Sequence, residues 1–254
     1  EVSGLEVVPT FEEAGWYLGC ALKKVQLPVT TASTVKTYTY TPTTGSDDLQ
    51  TATLEVGDDT SAFFVPFGVI NRLTMGYDEG GPFTMTMDWL GQRAAIASTF
   101  STGLTMATSE EINPAEAFAY IDATTIGTTA AAHVQSLQVT FDNHFVQHWA
   151  PDGLYDPNDV YRSQPRSIAV EGPFDLPHTT EYTALASTTE RKIRFKINGS
   201  TVTSSSPATP KSLQIDAYVY WDEAPFSKGD GRTQLRFRGE TVYDATATND
   251  WGVT

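Results

Sequence analysis

Two histidines, His144 and His148, lie four residues apart in DNHFVQHW, and an oxygen-rich run, DGLYDPND, follows at 152–159. On a helix that histidine spacing would suit a shared metal ion. Here it falls in or just beyond a stretch of β alternation, where strand rise separates the two by about 13 Å, too far for one ion. Asp152, Asp156, Asn158 and Asp159 carry the hard oxygens that calcium takes, but they lack the D-x-[DN]-x-[DN]-G order of a calcium loop and read as a solvated loop. Asp47 with Asp48, and Asp58 with Asp59, are adjacent carboxylates that point to opposite sides of an extended chain. Glycoside hydrolysis needs two facing each other across a cleft. No G-x-S-x-G elbow and no glycine-rich phosphate loop is present. The single cysteine, Cys20, sits in the apolar run GWYLGCAL, the setting of a buried, inert thiol. Asn198-Gly-Ser200 satisfies the glycosylation pattern, yet Asn-Gly in RFKINGSTV reads more simply as a tight turn. The expectation is a protein with no catalytic residues, no metal and no cofactor.

Composition narrows what remains. In 254 residues, 40% hydrophobic and 11% aromatic content is that of a globular chain able to bury a core as one large β domain or two modest ones. No apolar run approaches the ~20 residues that span a bilayer, and no charged-then-apolar signal opens the chain, so a soluble protein without membrane contact is expected. One cysteine rules out an intrachain disulfide framework and a multi-cysteine zinc site. The formal net charge of −15 argues against nucleic acid as a tightly held ligand, because phosphate is gripped by Lys and Arg, and is suited to a surface that repels a polyanion. The chain opens at Glu1 rather than a methionine, which suggests that its natural start lies upstream.

Periodicity supplies the elements. Thr10 can cap a helix with Glu12 and Glu13 in its first turn, Phe11, Ala14, Leu18, Ala21 and Leu22 near one face, and Lys23 and Lys24 closing it. In KTYTYTP, Tyr38 and Tyr40 share one face of a half-buried strand and Thr37, Thr39 and Thr41 the other. TPTTGSDD then reads as a projecting loop. FFVPFGVINRLTMGY, the turn DEGG and FTMTMDWLG form a hairpin in which Phe83, Met85, Met87 and Trp89 face a core and Thr84, Thr86 and Asp88 face water. A linker with a short helix in SEEINPAEAF leads to strand HVQSLQVTF and to a long excursion in APDGLYDPNDVYRSQP. RKIRFKING places Ile193, Phe195 and Ile197 inward and Arg194 and Lys196 outward, and SLQIDAYVYW and QLRFRGETVYD complete the strands.

Several phrases recur. TMTMDW at 84–89 returns as TATNDW at 246–251, Leu49-Gln50 as Leu213-Gln214, Asp58 as Asp222, Leu73 as Leu235, and VSGLEVVPTFEE at 2–13 resembles VEGPFDLPHTTE at 170–181. Blocks in the same order indicate an internal duplication. The expected architecture is mainly β, with two tandem similar β-sandwich or barrel units, 1–108 and 109–254, each with a short α-helix. The first unit lacks a counterpart to residues 118–166.

The runs TYTYTPTTGSDDLQTATLEVGDD, NRLTMGYDEGGPFTMTMDWLGQR, AYIDATTIGTT and ERKIRFKINGS resemble the major tail tube proteins of long-tailed, siphovirus-like bacteriophages, from about Thr37 to the end. That resemblance implies a tail-tube-type β-sandwich subunit, a structural virion protein whose rings of sixfold or pseudo-sixfold symmetry stack into a conduit for DNA ejection. A duplicated chain then suggests rings of three double-unit chains in place of a hexamer. It further implies the tape measure, tail terminator and baseplate proteins as partners, DNA passing through without specific binding, and a place in the virion tail after assembly in the bacterial host cytoplasm. On this reading Thr84, Thr86 and Asp88, with Thr246, Thr248 and Asp250, are candidates for the lumen, and Thr43, Asp47, Asp48, Asp156, Asn158 and Asp159 for contacts between rings. A carbohydrate-binding module or adhesin-like domain is the competing reading and needs Trp89, Trp149, Trp221 and Trp251 exposed on one face. Alternation instead turns Trp89 inward.

Overall fold

A computed structural model describes residues 1–22, 29–32, 35–42, 50–57, 61–78, 80–97, 109–131, 134–149, 151, 157, 159–175, 179–202, 208–229, 232–243 and 249–254. In chain order the elements are β1 (Val2–Val7), α1 (Phe11–Ala21), β2 (Val29–Ala32), β3 (Val35–Thr37), β4 (Ala52–Gly57), β5 (Ala62–Tyr77), β6 (Phe83–Leu90) and β7 (Ala95–Ala97). A single 3-10 turn at Pro114–Glu116 precedes β8 (Ala117–Asp122), β9 (Leu137–Asp142), β10 (Phe145–His148), β11 (Asp159–Arg162) and β12 (Ser167–Asp175). Then come α2 (Thr179–Ala186), β13 (Arg191–Val202), β14 (Thr209–Glu223), β15 (Phe226–Gly229), β16 (Arg232–Thr241) and β17 (Trp251–Val253). The protein is mainly β, and its sheets are antiparallel throughout, as alternation with one wet face predicts.

One sheet carries most of the chain, in the order β1–β6–β5–β9–β12–β16–β14–β13–β8, with β4 and β7 on β5, β17 on β14 and β15 on β16. Two small hairpins, β2–β3 and β10–β11, stand apart. The hairpin of β5 and β6 forms as expected, with Tyr77 opposite Phe83 and Leu73 opposite Met87. Phe83, Met85 and Met87 are fully buried, and Leu73, Met75, Val139, Phe141 and Val170 meet them from successive strands on the same face. Side chains of this size contribute roughly 1.5–3 kcal/mol each on full burial, so this face supplies the main driving force. The ring cluster Phe174, Trp221 and Phe237 continues the core toward β14, with centroids 4.9–5.8 Å apart.

Strand order repeats within the chain. Leaving aside β2–β3 and β15, the succession β1–α1–β4–β5–β6–β7 has the same order of strands and helix as β12–α2–β13–β14–β16–β17. In each set the first strand pairs with the fourth, the fourth with the third, and the third with both the second and the last. Between the sets runs β9, hydrogen-bonded to β5 on one side and β12 on the other. The halves nonetheless share one hydrophobic core, with α1 packed on both β5 and β14. The recurring phrases do not all mark equivalent places. TMTMDW lies inside β6, whereas Thr246 and Thr248 of TATNDW fall outside the described residues and Asn249–Trp251 leads into β17. Leu73 is in β5 but Leu235 is in β16. Among the described residues only the first block, β1 with α1 against β12 with α2, falls on matching elements, and Leu49 and Asp58 lie outside them.

Local departures have local causes. α1 starts as expected: Thr10 Oγ1 accepts from the Glu13 N–H at 3.2 Å and donates to Glu13 Oε2 at 3.0 Å, a reciprocal cap. It ends at Ala21, so no lysine closes its last turn, and Lys23 and Lys24 lie outside the described residues. Tyr38 and Tyr40 do not share a face: β3 stops at Thr37, Tyr38 is exposed, and Tyr40 is buried in a bridge to Val253 with its hydroxyl donating to the Gly15 carbonyl at 2.9 Å. Asn198-Gly-Ser200 is not a turn. β13 runs through it with a bulge, because the Glu110 carboxylate accepts from Ser200 N–H and Oγ, each at 2.5 Å, and the Phe11 ring packs where a Gly199 side chain would stand. The short helix expected in SEEINPAEAF is reduced to the 3-10 turn.

Candidate assembly surfaces

The sheet face opposite the core is polar and crosses both halves of the chain. Its rows follow from register. Glu6, Thr86, Thr74, Thr140, Ala169, Glu240 and Tyr220 lie opposite one another across seven consecutive strands from β1 to β14. A parallel row contains Thr84, Gly76, Gln138, Glu171, Arg238 and Glu223. A shorter one joins Asp88, Arg72, Asp142 and Ser167. Thr84, Thr86 and Asp88 therefore stand on one continuous hydrophilic surface with residues that the sequence did not single out: Thr74, Thr140, Glu171 and Glu240. The alternation of NRLTMGY and LQVTFD carries the signal for Thr74 and Thr140, each of which sits between two buried residues.

Short-range bonds stiffen this surface. Gly4 adopts φ +69° at a bulge of β1, a conformation that favours glycine, and its N–H donates to Asp88 Oδ1 at 2.8 Å. Thr74 and Thr140 hydroxyls lie 3.1 Å apart. Arg236 pairs with Glu171 at 3.2 Å, and Arg238 with Glu223 at 3.8 Å. From β1 to β16 the acids Glu6, Asp88, Asp142, Glu171 and Glu240 outnumber the bases Arg72, Arg236 and Arg238. The balance changes at β13, which presents Lys192, Arg194 and Lys196. Arg194 forms a two-pronged pair with Asp216, at 2.7 and 2.8 Å, which pushes the guanidinium pKa up despite burial. At the next strand, Asp122 is buried but accepts from the N–H groups of Gly127, Thr128 and Thr129 and from Thr128 Oγ1. Burial opposes ionisation there, and those donors outweigh it, holding the carboxyl below its usual range.

The remaining sequence candidates are dispersed. Asp250 is half-buried near Arg166, and burial raises its pKa more than that cation lowers it. Thr246, Thr248, Thr43, Asp47, Asp48, Asp156 and Asn158 lie outside the described residues, while Asp159 is exposed at the start of β11 opposite His148. His144 is turned by its positive φ toward Asp142 and Ser167, at 3.3 and 3.1 Å. His148 ends β10, and among the described residues no group of three or more metal-type ligands forms. Trp89, Trp221 and Trp251 are buried, leaving only Trp149 of that quartet exposed, so the four present no aromatic platform.

Two buried polar nodes escaped the sequence reading. Asn143 is fully buried and donates through Nδ2 to the carbonyls of Ala21 at 2.7 Å and Ile70 at 2.9 Å. Its Oδ1 accepts from Arg166 Nε at 2.6 Å, and Arg166 Nη2 donates to the Leu22 carbonyl at 2.7 Å. A cation thus meets the C-terminal end of α1, supplied from a strand entry 144 residues away. The second node is Glu181, in the first turn of α2, which accepts from Arg191 and from Trp221 Nε1 at 3.0 Å. Each node ties a helix to the sheet.

No helix among the described residues is long and apolar enough to cross a membrane. No curated protein matches the chain. A family model described as phage tail tube protein matches residues 4–240, nearly the whole length.

Proposed function

This chain belongs to the phage tail tube protein family, and on that premise we propose that its copies join side by side into rings that stack into the tail's DNA conduit. Membership makes it a structural protein of the virion tail. The observation that best supports the finer reading is the uninterrupted polar face from β1 to β14, acid-rich over most of its width, on a sheet whose other face is closed by core and helices. A conduit needs one wall that water and DNA touch without adhesion. An excess of like charge favours that, because the acids repel an approaching phosphate and pair with the arginines that could otherwise replace its counterions. In this reading Thr84, Thr86 and Asp88 face the lumen, and Thr246, Thr248 and Asp250 remain the proposed mates from the second unit. The loops carrying Thr43, Asp47, Asp48, Asp156, Asn158 and Asp159 contact adjacent rings.

The repeated strand order supports units with a boundary near 108/109, and hence three chains per ring with pseudo-sixfold symmetry in place of six. The edge of β1 pairs only with β6 among the described residues, and continuing the sheet into a neighbour would remove that open edge. The tube would meet tape measure, tail terminator and baseplate proteins, assemble in the bacterial host cytoplasm, and require no cofactor or catalytic group. Electron microscopy of concentrated protein tests this: end-on rings of six lobes made by three chains are expected. Six chains per ring would remove the duplication argument, and dispersed monomers at every concentration would remove the tube.

A further inference from the structure

The third strand of each repeated set, β5 and β14, is long, and its first half forms an arm with its hairpin partner and the last short strand: β4–β5–β7 in one unit, β13–β14–β17 in the other. These two arms differ in what covers them. In the second unit, α1 and the segment after β3, both from the first unit, lie against the arm. Phe11 packs at Gly199, Lys211 pairs with Glu12, and Tyr40 exchanges two backbone hydrogen bonds with Val253 at 2.8 and 2.9 Å. Leu213, Ile215 and Val253 are buried as a result.

In the first unit the corresponding arm carries an exposed apolar row. Val56, Phe63 and Ile96 lie directly opposite one another on its three strands, forming one apolar row, and they are 39%, 43% and 78% exposed. Phe67, further along β5, is 63% exposed. Val, Phe and Ile aligned on adjacent strands are what a covered sheet face looks like, and a contiguous apolar patch of this kind marks a contact surface.

We propose that this arm is the docking surface for the α2 side of a second copy of the chain, so that the contact made between units within one chain is repeated between chains. The argument is one of closure: the chain contains a first-unit helix seated on a second-unit arm, and a ring of such chains needs the second-unit helix of one copy to seat on the first-unit arm of the next. Such head-to-tail contacts close rings when the rotation between units repeats. α2 has the outward group to offer, since Tyr182 is 51% exposed while Glu181 and Ala184 on its other side are buried. This inference rests on the ring reading above and adds the surfaces that meet.

The test compares full-length wild-type protein with Ile96→Glu, a change at an exposed position, by sedimentation and electron microscopy. Wild type should form rings and tubes, and Ile96→Glu should remain monomeric with an unchanged far-UV spectrum and thermal midpoint. Cross-linking then identifies the partner surface: an Ile96→Cys chain mixed with a Tyr182→Cys chain should give a bismaleimide-linked dimer, and neither chain alone should. Cys20 is buried and stays silent. Wild-type tubes together with equally abundant Ile96→Glu tubes would overturn the docking surface and leave the tube reading standing. A dimer from Ile96→Cys alone would replace it with a symmetric contact. Wild type that never leaves the monomer would overturn the ring reading and this inference with it.

Discussion

Glu181 and Arg191 form a buried ion pair, 5% and 7% exposed, between α2 and the start of β13, and Trp221 donates its indole N–H to the same carboxylate. Replacing Glu181 by Leu leaves a buried guanidinium and an indole N–H without their shared acceptor, and removal of one partner from such a pair costs about 3–5 kcal/mol. Arg191→Met strands the carboxylate with Trp221 as its principal donor, and a similar loss is expected. The double variant removes both charges and leaves only the indole N–H unsatisfied, which costs about 1–3 kcal/mol. If the two sites were independent the double variant would lose roughly 6–10 kcal/mol, so the cycle should show a coupling of several kcal/mol. Urea denaturation of monomeric protein, kept below assembly concentration because association would add its own stabilisation, measures all four species. Additive losses, or single variants that each cost less than about 1 kcal/mol, would refute the assignment of this pair as the anchor of α2.

Arg166→Met removes two short charge-assisted hydrogen bonds, to Asn143 and to the Leu22 carbonyl, and should destabilise by about 2–4 kcal/mol in the same assay. Hydrogen exchange should locate the loosening at the end of α1. Glu110 is held at a pKa of about 2, below its ordinary 4.5, chiefly by the side-chain and backbone bonds from Ser200. A carboxylate so depressed contributes stability that is present above pH 4.5 and is lost as pH falls toward 2. Ser200→Ala should therefore flatten the acid limb of the unfolding midpoint against pH, and an unchanged limb would assign the acid sensitivity elsewhere. Lysines at Thr86 and Thr140 should make assembled tubes retain short duplex DNA in a nuclease-protected form, with retention falling steeply as salt rises. Bound DNA that is fully digested would place this face on the outside.

The sequence was most legible where geometry is local. Strict alternation in FTMTMDW and RKIRFK fixes which side chains are buried, and Thr10 with Glu13 announces the start of α1, because each pattern is complete within a few residues. Long-range chemistry was hidden. Asn143 serves a helix end 122 residues earlier, and nothing in DNHF distinguishes it from any other loop asparagine. The Asn-Gly of β13 was misread as a turn because Glu110, which remodels it, is 90 residues away. The recurring phrases are a weak guide for a different reason: Thr-rich alternation looks alike in every half-buried strand, so TATNDW resembles TMTMDW although its described part, Asn249–Trp251, leads into β17, whereas the order of pairings is visible only after folding.

β9 is six residues long and is clasped on both sides, by β5 of the leading set and β12 of the trailing one. A hinge at this point would let the halves of each subunit open and shut. A strand bonded along both margins opposes it, so its twist and register help to set the angle between the halves, together with α1 packed across both. In a closed annulus that angle decides how many protomers complete the circle, and therefore the calibre of the bore. The gauge of the passage would then be written in residues 137–142, in the backbone pairings of a strand that also turns Gln138, Thr140 and Asp142 toward the proposed bore.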